Sequence, residues 1–377
     1  MSRPDLQTAG RIVVKIGSTL LQAGAPIINA IARDVATLCE TGSQCVIVSS
    51  GAVALGRPRL GLASQTLSLE QKQAAAAAGQ PVLVNTWEQA FAAHGRSTAQ
   101  ALLTLDVTDN RRRWLNARAT LDTLLELGAI PIVNENDTVA TDEIRYGDND
   151  RLAARVAQLI GAECLVLLSD IDGLYNADPR THPDAERIAE ITRIDDTVRA
   201  MAGGANTAAG AGTGGMRSKI MAAEIATASG CSVIIGDGRK TSPVARLAGS
   251  ECGSLFSPAV SAASARERWI SGAASPHGEI MIDAGALQAL RAGKSLLAVG
   301  VVAIKGQFMR GDTVRITDAD GHTLARGVSA YDAADATRIA GRRTEEIEAI
   351  LGYRRTAALV HADDLVLEQQ FAKASST

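Results

Sequence analysis

Thr213-Gly-Gly-Met-Arg-Ser-Lys219 is a glycine turn that delivers a lysine to the start of a helical pattern. Helix-start N–H groups together with an ammonium suit a phosphate. The spacing is not that of the commonest phosphate loop, G-x-x-x-x-G-K-[ST], which needs a glycine directly before the lysine. Ser218 occupies that position. A second lysine, Lys15, lies inside the apolar run Ile12-Val-Val-Lys-Ile16, where an unpaired buried ammonium would be costly. It must reach water or an anion. Gly17 and Ser18 directly after it offer close backbone approach and a hydroxyl.

Acids and amides gather in two further stretches, Asn134-Glu-Asn-Asp137 and Gly147-Asp-Asn-Asp150, the second opening a helical pattern. A helix N-cap needs one polar residue, and here Asp148, Asn149 and Asp150 stand in a row. So many carboxylates call for cations nearby, either lysines or Mg²⁺. The Asn and Ser side chains beside them could bind the polar ends of a small, amino-acid-like substrate.

Phosphoryl transfer to a carboxylate fits this inventory. Such a substrate, with a pKa of about 4.3, is already ionised at pH 7 and needs no base. The task is to bring an anion against the γ-phosphate of ATP and stabilise the charge that spreads there. Two lysines held by an aspartate would suffice, which makes Asp150 an organiser of Lys15 and Lys219 rather than a base. Other chemistries are poorly supported. The histidines (His94, His182, His277, His322, His361) join none of these clusters, and neither G-x-S-x-G nor H-E-x-x-H occurs. Gly210 to Gly215 fits G-x-G-x-x-G with Asp237 downstream, but a loose Gly/Ala/Asn loop precedes it instead of a strand.

The elements that must carry these groups alternate. Strand-like apolar runs at Arg11 to Ile16, Cys45 to Val48, Ala101 to Leu105, Ala129 to Val133, Cys164 to Leu168 and Ser232 to Ile235 are separated by helical patterns. These helices span Gln71 to Ala78, stopped by Gly79 and Pro81, then Thr108 to Leu127, Asp150 to Ile160 and Met216 to Ser229. Near-continuous apolar strands between helices predict a parallel sheet covered on both faces. Lys15 to Ser18, Ser49-Ser50-Gly51, Asn134 to Asp137 and Ser169-Asp170 all follow strands, so they would share the carboxyl edge where such sheets bind ligands. From Gly278 the pattern changes to short strands at Gly278 to Asp283, Ser295 to Ile304, Gly311 to Ile316 and Thr323 to Val328. A small β-rich domain is expected there, with the boundary between Ala262 and His277.

A chain of 377 residues with a formal net charge of -3 suits two domains and has no global basic field to recruit nucleic acid or anionic membrane. The five cysteines form no C-x-x-C pair, which favours reduced, mostly buried thiols. With no apolar leader or membrane-length run, a cytoplasmic protein is expected.

Six stretches in order, Val13 to Ser18, Val48 to Ala52, Val133 to Asp137, Gly147 to Asp150, Gly173 to Arg180 and Gly212 to Met216, resemble the amino acid kinase family, and within it the branch that phosphorylates glutamate. The part from Gly278, with Gly306 to Asp312 and Ala325 to Val328, resembles a PUA domain. The resemblance implies a three-layer α/β/α sandwich around a mostly parallel sheet over residues 1–262, and a PUA domain over 278–357. It implies ATP-dependent phosphorylation of the γ-carboxylate of L-glutamate to γ-glutamyl phosphate, the first step of proline biosynthesis. Lys15 and Lys219 would stabilise the transferring group, with Asp150 holding both. Ser50, Gly51, Asp137, Asp148 and Asn149 would bind glutamate, supported by Asn134. Lys15, Ser169, Asp170, Thr213, Gly214, Gly215, Met216, Arg217, Ser218 and Lys219 would hold the nucleotide, which brings Mg²⁺ on ligands the motifs leave unassigned. Ser49 and Ser169 stand where many members carry threonine, and Arg217 where many carry a small residue. Self-association as a dimer or tetramer, feedback inhibition by proline and hand-over of product to glutamyl phosphate reductase are implied in the same way. The alternatives are an aspartate or N-acetylglutamate kinase, or an RNA-binding PUA protein. An aspartate kinase would more naturally carry ACT domains. The region Gly278 to Ala357 has 11 Lys/Arg against 10 Asp/Glu, a thin basis for binding RNA.

Overall fold

The computed structural model describes residues 6–63, 66–104, 111–139, 149–202, 215–248, 252–258, 276–354 and 356–368. The chain divides into two compact units, Met1–Ala262 and Ala263–Thr377. In the first, β1 (Arg11–Ile16) is followed by α1 (Ser18–Gln22), α2 (Ala25–Glu40), β2 (Gln44–Ser49), α3 (Ala52–Arg59) and α4 (Leu69–Ala92). Then come β3 (Thr98–Leu103), α5 (Arg111–Glu126), β4 (Ile130–Glu135), α6 (Asn149–Ile160), β5 (Cys164–Ser169), β6 (Glu190–Ile191), α7 (Asp196–Met201), α8 (Met216–Ala228), β7 (Ser232–Asp237) and β8 (Ser254–Phe256).

The strands form one sheet in the order β3-β4-β2-β1-β5-β7-β8-β6. Every pair from β3 to β7 is parallel, and the sheet turns antiparallel only between β7 and β8. After β1 the chain winds to one side through β2, then crosses to the other side of β1 at β5. That reversal opens a crevice at the carboxyl ends of β1, β2 and β5, where doubly wound sheets bind their ligands.

Alternation along the strands sorts side chains into two cores. Val14, Ile16 and Ile47 join Ile31 and Val35 of α2 and Leu83 and Trp87 of α4 on one face. Val13, Val46, Val48, Leu165 and Leu167 join Leu121 of α5, Leu152 and Val156 of α6 and Ile220 of α8 on the other. Helices on both faces make the three-layer sandwich. Lys15, between Val14 and Ile16, shares the face of Val13, the one covered by α6 and α8.

Gly79 and Pro81 do not end the helix expected to stop there. It starts earlier and runs on, from the Ser68–Gln71 capping box through to Ala92. Gly79 serves a close crossing instead, since an added Cβ would lie 1.8 Å from the Ala52 carbonyl oxygen and 2.8 Å from the Gly56 nitrogen. Gly56 is its counterpart, 1.7 Å from the Ala75 carbonyl by the same construction. The expected Thr108 to Leu127 helix is observed from Arg111 and stops before Gly128 at φ +75°; residues 108–110 lie outside the described residues.

The second unit has a five-stranded sheet. Its strands are β9 (Gly278–Ile282), β11 (Val301–Gly306), β12 (Thr313–Thr317), β13 (Thr323–Val328) and β15 (Leu365–Leu367), in the order β11-β9-β12-β13-β15. A separate pair joins β10 (Leu296–Leu297) to β14 (Ala358–Val360). The run Ser295 to Ile304, which reads as one strand, is broken by a short turn at Ala298–Gly300. There the Gly300 carbonyl accepts from Asp283 N at 3.0 Å, and a Cβ on Gly300 would meet Ala286 at 2.5 Å.

Backbone atoms cannot yield as a flexible side chain can, so Gly79→Ala should destabilise the first unit by about 3 kcal/mol, the upper end of ordinary overpacking. Urea unfolding should show a lower midpoint with an unchanged slope. A midpoint equal to that of the wild type would contradict the crossing.

Candidate active site

Lys15 enters the site because strand parity turns it toward α6 and α8. Small residues let those helices lie close. Ala153, Ala154 and Ala157 of α6 and Ala222, Ala223 and Ala226 of α8 are all fully buried. Their N-terminal turns therefore meet over the end of β1, with Asp150 in one and Lys219 in the other. Lys15 Nζ lies 2.5 Å from Asp150 Oδ1, and Lys219 Nζ lies 3.3 Å from Asp150 Oδ2. Ser218 Oγ donates to the same Oδ2 at 2.6 Å. Asp150 is 1 % exposed and each lysine 5 %.

Burial works against the Asp150 charge, but Lys15, Lys219 and the Ser218 hydroxyl overcome it and hold the carboxyl well below the usual range. An ionised Asp150 is also favoured by its place in the first turn of α6. Burial lowers the Lys219 pKa, Asp150 opposes the shift and Lys15 adds to it. With both lysines charged the group carries one surplus positive charge, out of water, at the switch point of the sheet. It is a prepared seat for an anion.

A second, uncharged network lies beside it. Asn149 Nδ2 donates to Ser50 Oγ at 2.8 Å and to Asn134 Oδ1 at 3.0 Å. Glu135 N–H, which can only donate, lies 2.9 Å from that same Asn134 oxygen. This fixes the Asn134 amide orientation, and so the Asn149 amide orientation. Both Asn149 N–H groups are then engaged, while its buried Oδ1 has no hydrogen-bond partner among the described residues. The Ser50 hydroxyl, already accepting, keeps its proton to donate. One backbone N–H thus presets a donor and an acceptor, the complement of a carboxylate and an ammonium. Asp137, opening a short turn after β4, adds a buried carboxyl that desolvation pushes up to about 6.

The other expected residues fall as follows. Gly51 precedes α3 at φ +108°, where a Cβ would strike Leu21 at 2.6 Å. Ser169 ends β5 and donates to the exposed Asp170 at 3.1 Å. Gly215 is the N-cap of α8, Met216 packs against the core under α8, and Arg217 is exposed. Asp148, Thr213 and Gly214 lie outside the described residues.

Other residues that reach these strand ends were not assigned to the site from the sequence. At the end of β7, Asp237 holds Arg239 through two bonds of 2.9 and 3.0 Å, and Gly238 N donates to Ser169 O at 2.8 Å. The signal was one more polar strand end, Asp-Gly-Arg-Lys. Trp87 Nε1 donates to Ser49 Oγ at 2.9 Å, and Gln80 reaches the Glu135 carbonyl at 3.5 Å, both from α4. No local signal distinguishes these from ordinary core residues.

The family model described as "Amino acid kinase family" matches residues 10–237, and the PUA domain model matches 278–351. The chain is 53 % identical to glutamate 5-kinase of Caulobacter vibrioides over 97 % of this chain and 98 % of that one. It is 51 % identical to those of Rhizobium etli (99 % and 97 % covered) and Cereibacter sphaeroides (97 % and 100 % covered). The chain belongs to the amino acid kinase family, among its glutamate 5-kinases. In a kinase of this family the crevice just described lies within the matched residues, and the β-rich second unit contains the PUA match. A carbamate kinase from Giardia lamblia bound to AMP-PNP has a TM-score of 0.48 at 17 % identity, covering 67 % of this chain and 99 % of that one. Among the described residues no helix is long and apolar enough to cross a membrane.

If Asp137 pairs with a substrate ammonium, its raised pKa gives binding a pH dependence with a defined sign. Its pKa is raised, so the stability it contributes is present below the ordinary carboxylate range and is lost as pH rises through about 6. Pairing with an ammonium needs the ionised form. The KM for an α-amino substrate should therefore rise as pH falls from 7 to 5.3, approaching tenfold per unit below 6. Asp137→Asn should raise KM and flatten that profile. A wild-type KM constant over this range would remove Asp137 from the substrate.

Proposed function

We propose that this chain transfers the γ-phosphoryl group of ATP to the γ-carboxylate of L-glutamate, giving γ-glutamyl phosphate for proline biosynthesis. The observation that carries this reading is the buried Lys15–Asp150–Lys219 group beside a network of fixed polarity. Asp150 spends both oxygens on ammonium groups and is no base. An ionised acceptor carboxylate needs none.

In this assignment Asn149 Oδ1 and ionised Asp137 take the α-ammonium of glutamate. The Ser50 hydroxyl donates to a carboxylate, and Gly51 lets the backbone approach at the start of α3. Asn134 keeps the Asn149 amide in orientation. Asp148 is placed by its motif in the same group. The nucleotide lies along Ser169, Asp170 and the Thr213 to Lys219 segment, so that Lys15 and Lys219 flank the transferring phosphoryl. Because the transition state spreads charge over its equatorial oxygens, two ammonium groups held in place lower its energy without reorganising. Mg²⁺, brought by ATP, would neutralise charge on the phosphates. Asp150 is paired with both lysines. Assembly as a dimer or tetramer, inhibition by proline and hand-over to glutamyl phosphate reductase complete the proposal on family grounds.

The direct test is ATP- and Mg²⁺-dependent acyl phosphate formation, trapped as the hydroxamate. Glutamate should give product where aspartate and N-acetylglutamate give little. Preference for either of those would reassign the substrate. Lys15→Ala and Lys219→Ala should each lower kcat by about 10²-fold or more, the scale of one lost transition-state donor. Turnover near wild type in either variant would end the two-lysine mechanism.

A further inference from the structure

We propose that Trp87 is a positioning residue of the glutamate side of the site, acting through Ser49 on the end of β2 and supported by Gln80. The proposal rests on the reading of Ser50, Asn134 and Asn149 as that side.

Trp87 is fully buried in α4 and packs on Phe91 with ring centroids 5.9 Å apart. Such a residue ordinarily serves the core, and its indole N–H takes whatever acceptor is near. Here the acceptor is specific. Ser49 Oγ, fully buried, receives the indole N–H at 2.9 Å and in turn reaches the Ser50 carbonyl at 3.4 Å. Ser50 is thereby held on three sides, with its N–H donating to Ile16 O at 3.2 Å and its Oγ accepting from Asn149.

Gln80 stands seven residues before Trp87, two helical turns back on the same face of α4. Its Nε2 donates to the Glu135 carbonyl, and its Oε1 accepts from Gln100 Nε2 at 3.1 Å, which fixes its orientation. Glu135 is the residue whose N–H sets the Asn134 amide. β2 and β4 are neighbours with Val48 opposite Val133, and one residue further along stand Ser49 and Asn134. Two donors on one helix face therefore grip two adjacent strand ends. Those ends carry Ser50 and Asn134, the two groups that Asn149 bridges. α4 fixes their separation, and through it the donor and acceptor offered to substrate.

Initial-rate kinetics by hydroxamate trapping, with glutamate and ATP varied separately, test this together with thermal melting. Trp87→Phe keeps an aromatic ring beside Phe91 and loses the N–H together with part of the indole volume, for which Phe91→Leu is the packing control. It should raise the glutamate KM by about 10-fold, the effect of leaving one buried polar partner unpaired. The ATP KM and kcat should stay within about twofold. Ser49→Ala should match it, Ser49→Thr should behave as wild type, and the double variant should be no worse than either single change. Phe91→Leu, a packing change in the same cluster without a hydrogen bond, should lower the melting temperature and leave the glutamate KM in place. An unchanged glutamate KM in Trp87→Phe, an equal rise in both KM values, additive single changes, or the same KM shift from Phe91→Leu would each overturn the proposal. If the wild type itself makes no hydroxamate from glutamate, the reading of the site fails instead.

Discussion

The site depends on one carboxylate shared by two ammonium groups out of water. Removing any of these three charges from solvent alone would cost more than folding could spare. Together they leave a single positive excess that is stable enough to bury and strong enough to attract an anion. The architecture follows from that requirement. Lys15 must sit one residue from the end of a central strand and on the correct face. α6 and α8 must both begin there, and alanines must line their contact so that the two first turns meet.

The neighbouring amide network solves a different problem. Charge draws anions of any shape, whereas a fixed alternation of donors and acceptors selects one arrangement of carboxylate and ammonium. The network has no net charge and takes its direction from a single backbone N–H, that of Glu135. Under the proposed function, chemistry and selection divide between two sets of residues, one on β1, α6 and α8 and the other on the ends of β2 and β4, joined where Asn149 precedes Asp150.

Much of this was legible in the sequence, for a physical reason. Apolar runs ending in Ser, Asn or Asp mark strand ends, and a lysine inside such a run demands a partner, so the Lys15, Asp150 and Lys219 group could be anticipated. Gly79 and Pro81 misled because a glycine chosen for a helix crossing looks the same as one chosen to end a helix. Only the backbone of α3 distinguishes the two cases. Ser295 to Ile304 failed similarly, since the turn at Gly300 is dictated by a helix that passes close to it. The pairing of Trp87 with Ser49 was invisible, because a tryptophan among apolar neighbours carries no sign of which hydroxyl its N–H will find.

Ser218, which spoils the common phosphate-loop spelling, donates its hydroxyl to Asp150 and also lies 2.9 Å from the Gly215 carbonyl. Glycine at that position would strip the carboxylate of a ligand, and Thr213 and Ile220 would still depart from the familiar spelling. The residue that departs from the common loop before Lys219 is thus the one that ties the start of this helix to the shared aspartate.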